Sequence, residues 1–224
     1  MAAYFPILFL ILIWTLHFLK VLSILNIDHY GVLPHTAIGL RGIFFTPLIH
    51  EDFNHLFNNS IPLLVLGTGL FYFYSDMAVK IILWIWLVSG LGIWIIGRDA
   101  YHIGASGIVY GLAAFLFFSG IFRGIIRLIA MSLLVIFLYG SMVWGIFPIR
   151  MDISWEGHLF GAISGLALSY YYLKEGPQHE KPAWMDEPEA EELDDNEEFD
   201  ENDEKKPFPG IDKDDRNTKN SLRW

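Results

Sequence analysis

The sequence contains no cysteine, and it carries few charges outside its last fifty residues. Without cysteine the chain can form no disulfide and no thiolate zinc site, and it has no catalytic thiol. Residues 1–174 carry eight Lys or Arg and seven Asp or Glu, whereas residues 175–224 carry seven and eighteen. Residues 1–174 are therefore nearly neutral and offer no basic surface of the kind that binds nucleic acid. We therefore expect neither thiol chemistry nor a nucleic-acid partner.

The first residues, 1–6, also lack the basic group that opens a secretory signal peptide. The apolar run that follows them is longer than the hydrophobic core of such a peptide. We therefore expect this run to remain in the protein as a membrane helix.

Long apolar blocks are what the sequence does have, and 54% of its residues are hydrophobic. Six blocks are long enough, or nearly so, to span a bilayer core of about 30 Å. They lie at about 5–25, 56–75, 79–97, 104–122, 126–147 and 156–174. This pattern predicts an all-α, multi-pass integral membrane protein with six transmembrane helices. The patchily apolar segment 26–55 is expected to lie partly in the membrane interface, against the bundle.

The last fifty residues, 175–224, are rich in Asp, Glu, Asn, Lys and Pro. They have too few large apolar side chains to offset the entropy of ordering, so we predict an acidic disordered tail after a membrane domain at 1–174. A small excess of basic residues in the loops that would be internal favours a cytoplasmic N-terminus. With six spans the tail is then cytoplasmic too. The sequence does not identify a binding partner for it.

Polar side chains cluster at the starts of the second, fourth and sixth blocks. They are His55 with Asn59, then Ser106 with Tyr110, and then His158. Polar groups inside membrane helices are candidates for function. Because even-numbered helices of a serpentine chain all begin on the same side, these clusters should share one face of the membrane.

Small residues spaced four apart in two of these blocks would let helix backbones approach closely. The glycines are Gly107 and Gly111 in the fourth block and Gly157, Gly161 and Gly165 in the sixth. If the two helices pair through them, Ser106 and His158 come to the same depth and can act as nucleophile and general base. The simpler interpretations are that Ser106 fills a packing seam and that His158 caps a helix near the interface.

His55 and Asn59 are four residues apart and would face the same way on a helix. Their side chains could donate to an oxyanion beside the nucleophile, or simply to a neighbouring helix. His50, Glu51 and His55 at first suggest a zinc motif, but that motif needs histidines at i and i+4, and here they are at i and i+5. We therefore expect no metal and no cofactor.

Taken in order, these motifs resemble the rhomboid family of intramembrane serine proteases. The segment 55–59 matches the family's His-x-x-x-Asn in the second helix, and 104–107 matches Gly-x-Ser-Gly in the fourth. The segment 158–165 matches His-x-x-Gly-x-x-x-Gly in the sixth, and His50 also fits. The resemblance runs from about residue 41 to residue 172, and its specificity comes from all three motifs occurring in order.

The resemblance implies a rhomboid-like six-helix bundle with a Ser–His dyad and no third acid. Ser106 would be the nucleophile and His158 the base. The backbone N–H of Ser106, with His55 and Asn59, would form the oxyanion hole, and Tyr110 would pack beneath the His158 ring.

Further residues would support the site, and two positions depart from the family pattern. The supporting residues are His50, Gly104, Gly107 and Gly161. Leu40-Arg41 replaces a common Trp-Arg pair, which could alter how the long loop lies in the interface. Gly157 stands where Ala often precedes the histidine. Neither departure removes a reacting group.

We therefore expect a rhomboid-type serine endopeptidase that cleaves transmembrane protein substrates in the lipid bilayer. Its active site would face the outer side of a bacterial inner (plasma) membrane. The alternative is a catalytically inactive relative that binds and escorts membrane proteins. A small transporter is a third possibility, although the ionisable groups gather at one end of the helices rather than deep inside them. Cleavage of a transmembrane reporter separates the first possibility from the other two.

Overall fold

A computed structural model of the chain describes residues 2–138, 144–149 and 153–178, and over this range it contains helices and no strand. The helices are α1 Tyr4–Val21, α2 Gly42–Phe45, α3 Phe53–Phe73, α4 Ala78–Ile96, α5 Ser106–Arg123, α6 Ile126–Leu138 and α7 Trp155–Tyr171. The predicted all-α fold is confirmed for the described residues. Residues 179–224 of the predicted tail lie outside them.

Four helices, α1, α3, α4 and α5, are long and apolar enough to cross a membrane. Over the described residues α6 has 13 residues and α7 has 17, each fewer than the about 20 that a spanning helix usually has. Each of the six predicted blocks therefore contains a helix, and several helices of membrane length are present. The count of six complete spans stays a prediction.

Two helix ends differ from the predicted blocks, for reasons of backbone conformation. α1 ends at Val21 rather than near residue 25, and Ser23 just beyond it has a φ of 59°, outside the helical region. α5 begins at Ser106 rather than at Gly104, because Gly104 has a φ of +115°. That conformation suits glycine and turns the chain into the helix directly before the serine.

The long segment between α1 and α3 packs against α4, as expected from its patchy hydrophobicity. The indole N–H of Trp86 donates to the Ile43 carbonyl at 2.7 Å, and that of Trp94 donates to the Thr36 carbonyl at 2.9 Å. The Thr36 carbonyl also accepts from the Gly39 N–H at 3.1 Å, so the segment has internal hydrogen bonds as well as these links to α4. The segment is thereby fixed to the bundle through α4.

Helix α5 is the central helix, and its closest packing is against α7. Glycines lie where the two backbones meet: a Cβ atom added to Gly161 would collide with the Gly107 carbonyl, and one added to Gly165 would collide with that of Gly111. The small-residue spacings thus mark the surface through which the predicted fourth and sixth helices pair. This pairing brings the N-terminal ends of α5 and α7 together.

Replacing Gly161 with valine should lower both the melting temperature and the activity. The new side chain meets backbone, which cannot rotate away, and overpacking of this kind typically costs about 1–3 kcal/mol. Ala167→Val is the matched control, because Ala167 is exposed on the same helix. Thermal unfolding in detergent measures the difference, and a Gly161→Val protein that melts like the control would contradict the packing.

Candidate active site

Ser106 and His158 meet where α5 and α7 begin. Ser106 is the first residue of α5, and its Oγ lies 2.7 Å from Nε2 of His158 in the first turn of α7. The predicted partners are therefore in hydrogen-bond contact, although 52 residues separate them in the sequence. This is the geometry that a nucleophile and its general base require.

The other ring nitrogen of His158 fixes the tautomer. Nδ1 lies 2.8 Å from the carbonyl oxygen of Gly145, which can only accept a hydrogen bond. Nδ1 therefore carries the proton and donates it, which leaves Nε2 free to accept from the Ser106 hydroxyl. A backbone carbonyl thus does the orienting that a carboxylate does in a catalytic triad. Sequence reasoning missed Gly145, because a backbone acceptor has no residue-type signature.

Tyr110 lies one helical turn after Ser106 and stacks on the His158 imidazole. The ring centroids are 4.1 Å apart and the planes differ by 8°. Gly145 lies at the Nδ1 edge of the imidazole, where an added Cβ atom would collide with the Tyr110 hydroxyl and lie 3.1 Å from His158 Nδ1. The imidazole is therefore held on one face by an aromatic ring and at its Nδ1 edge by a backbone carbonyl. The expected placement of Tyr110 beneath the ring agrees with this geometry, and its role stays a prediction.

His55 and Asn59 approach Ser106 from α3. A Cβ atom on Gly104 would lie 2.5 Å from His55 Nε2 and 3.7 Å from Asn59 Nδ2, so both side chains border the loop just before the serine. Asn59 is buried, and within the described residues its Nδ2 has no hydrogen-bond partner. A buried amide donor of this kind is unusual. It is available to a hydrogen-bond acceptor placed beside the Gly104 loop.

The Ser106 backbone N–H belongs to the first turn of α5, whose N–H groups have no acceptor within their own helix. Anions are stabilised near a helix N-terminus by these groups and by the helix dipole. The three proposed donors, one backbone N–H and two side chains, therefore all lie around the Gly104 loop and the start of α5.

His50 contacts this loop, and its ring packs edge-on against that of His55, with 5.2 Å between the ring centroids. It is buried, and its Nε2 accepts from the Ala105 N–H at 3.4 Å, a long hydrogen bond. Burial, with a smaller contribution from His55, lowers the pKa of His50 to about 3. A neutral imidazole can accept in this way, whereas the protonated form cannot. His50 therefore steadies the residue that precedes Ser106.

Polar contacts that the sequence did not reveal surround the start of α7. Ser89 on α4 donates to the Gly157 carbonyl at 3.1 Å, directly before His158. Glu156 is fully buried and pairs with Arg98 of the α4–α5 loop. The only sequence signal was Glu156 itself, a carboxylate at the start of an apolar block, and its partner lies 58 residues away.

Comparison with known proteins agrees with this architecture. The family model described as "Rhomboid domain" matches residues 38–175. An uncharacterized protein of Mycobacterium tuberculosis is 37% identical over 176 residues, which cover 72% of this chain and 71% of that protein. An uncharacterized protein of Mycobacterium leprae is 32% identical over 173 residues, covering 72% and 68%. The match spans every helix that supplies a side chain to the site, and the chain belongs to the rhomboid family.

Proposed function

We propose that the protein is an intramembrane serine endopeptidase with Ser106 as nucleophile and His158 as general base. The observation that carries this proposal is the 2.7 Å contact between Ser106 Oγ and His158 Nε2, with Nδ1 engaged by the Gly145 carbonyl. An inactive relative has no need of an imidazole held in the proton-accepting tautomer against a serine. Hydrolysis of a peptide bond through a serine nucleophile uses that arrangement.

The reaction follows from the positions of the groups. Ser106 Oγ attacks the peptide carbonyl carbon while His158 Nε2 takes the hydroxyl proton, which gives a tetrahedral oxyanion. The Ser106 N–H, His55 and Asn59 donate to that oxyanion. The C–N bond then breaks, His158 returns the proton to the leaving amine, and an ester to Ser106 remains. Water attacks the ester, His158 takes its proton and returns it to Ser106, and a carboxylic acid leaves.

The expected substrates are transmembrane proteins cleaved near one end of their membrane helix. Ser106 and His158 lie at the N-terminal ends of helices, where water can reach a membrane protein's polar groups, and not halfway along them. The mycobacterial origin of the relatives supports a bacterial inner membrane. We further propose that the site faces the outer side and that both termini are cytoplasmic.

Single cysteines test this orientation, because the natural chain has none to remove. Ala100 is exposed in the α4–α5 loop near the site, so Ala100→Cys should react with an impermeant thiol reagent in intact cells. Cysteines at positions 2 and 200 should react only after lysis. The reverse pattern would place the site on the cytoplasmic side, and it would leave the proposed chemistry unaffected.

The activity itself is tested by labelling with a fluorophosphonate, which reacts with an activated serine. The purified protein should be labelled, Ser106→Ala should not, and a transmembrane reporter should be cleaved only by the former. A protein that binds the reporter but neither cleaves it nor takes up the label would be an escort, and the protease proposal would be wrong.

A further inference from the structure

Glu156 is a buried carboxylate that the proposed reaction does not use. It lies two residues before His158, and its side chain is fully buried. Arg98 contacts it twice, with Nε 2.8 Å from Oε1 and Nη2 3.2 Å from Oε2. Arg98 Nη2 also donates to the Ile153 carbonyl at 2.6 Å. Desolvation makes such a pair a weak source of stability, whereas its bidentate geometry fixes orientation well.

Ser154 forms a second link between the same two segments. It occupies the N-cap position of α7, where a serine usually accepts a hydrogen bond from the first turn, but it makes no such bond. Its Oγ instead lies 2.7 Å from Nδ1 of His102. Nε2 of His102 lies 3.1 Å from the Arg98 carbonyl and donates to it, so Nδ1 accepts from the Ser154 hydroxyl.

The two residues of this second link lie at the same distance along the chain from Ser106 and His158. His102 comes four residues before Ser106, and Ser154 comes four residues before His158. The loop end of the link is itself fixed, because the backbones of His102 and Val32 exchange hydrogen bonds of 2.8 and 3.0 Å. Thr46 Oγ1 adds a hydrogen bond to the His102 carbonyl at 3.0 Å. A displacement of α7 relative to α5 would therefore have to break these contacts.

We propose that Arg98, His102, Ser154 and Glu156 form a loop clamp that sets the distance between Ser106 and His158. These four are positioning residues, because they act on the reacting atoms only through the two helix starts. The expected effect on catalysis rests on the proposed function, whereas the hydrogen bonds and the ion pair of the clamp are features of the structure. Reacting groups must be held closely, and a misplacement of about 1 Å can cost on the order of 10²-fold in rate.

The test compares Ser154→Ala with Ser154→Thr, and it adds Glu156→Gln. Ser154→Ala and Glu156→Gln should each lower kcat on a transmembrane substrate by on the order of 10²-fold, with KM nearly unchanged. Fluorophosphonate labelling of Ser106 should slow in parallel. Ser154→Thr keeps the hydroxyl and should keep most of the rate. Ser169→Ala is the control, since Ser169 is a buried serine on the same helix, away from the clamp.

Equal losses in Ser154→Ala and Ser154→Thr, or a normal kcat in Ser154→Ala and Glu156→Gln, would overturn the clamp. If Glu156→Gln does not fold, the two Ser154 variants still decide the question. A wild-type protein that neither labels nor cleaves would contradict the proposed function alone. Hydrogen exchange then tests the links, because Ser154→Ala should speed exchange in residues 155–158, and unchanged exchange would refute them.

Discussion

Ser106→Ala should remove all measurable cleavage of a purified transmembrane substrate, and His158→Ala should do nearly the same. In the proposed mechanism Ser106 supplies the attacking oxygen, and His158 both accepts its proton and returns it to the leaving amine. In soluble serine proteases the loss of either group costs on the order of 10⁶ in kcat. Because the two act as one unit, the double variant should be no slower than either single variant. The measurement is product formation over time in detergent.

Ser132→Ala provides the control for this prediction. Ser132 is a buried serine on the neighbouring helix α6. Ser132→Ala therefore removes a buried hydroxyl from the helix bundle and leaves Ser106 and His158 unchanged. All variants should be compared at equal folded fraction, judged by thermal unfolding. If Ser106→Ala still cut the same peptide bond, the serine-protease mechanism would be wrong. If only His158→Ala did so, another group would have to serve as base.

Asn59→Ala should lower kcat by on the order of 10²–10³ while KM changes much less. The oxyanion exists only in the transition state and the intermediates, so a donor to it adds little to substrate binding. Asn59 Nδ2 has no partner within the described residues, so its removal breaks no hydrogen bond seen there. We therefore expect a large kinetic effect with little change in melting temperature. His55→Ala should show a graded loss of the same kind, since the Ser106 N–H remains.

The neighbouring asparagine gives a matched control. Asn58 is exposed on the same turn of α3, so Asn58→Ala should keep the wild-type rate. Asn59→Asp is a sharper variant, because it preserves the shape and replaces a donor with an ionisable acceptor that repels the oxyanion. An Asn59→Ala protein with an undiminished kcat would show that Asn59 is not a required donor. It would leave the Ser106–His158 dyad intact.

The sequence by itself determined the local features of this protein. Apolar blocks of bilayer length specify helices. In lipid every backbone N–H and C=O must be hydrogen-bonded, and a helix achieves this within one segment. The spacing of four between His55 and Asn59 is a property of one helix, and the structure has both of them at the edge of the Gly104 loop. The glycines spaced four apart likewise marked the α5–α7 contact. Each of these features lies within a single helix or is a spacing along one.

Only the tertiary structure decided what joins distant segments. The Gly145 carbonyl orients His158, but any residue type carries a carbonyl, so the sequence gives no sign of it. The Arg98–Glu156 and His102–Ser154 links span 58 and 52 residues, and they depend on how the α4–α5 loop packs against the start of α7. A helix is specified by residues close together in the sequence. A contact between distant segments depends instead on all the packing interactions that bring those segments together. The dyad stands between the two cases: its residues could be named from the sequence, and the 2.7 Å between them could not.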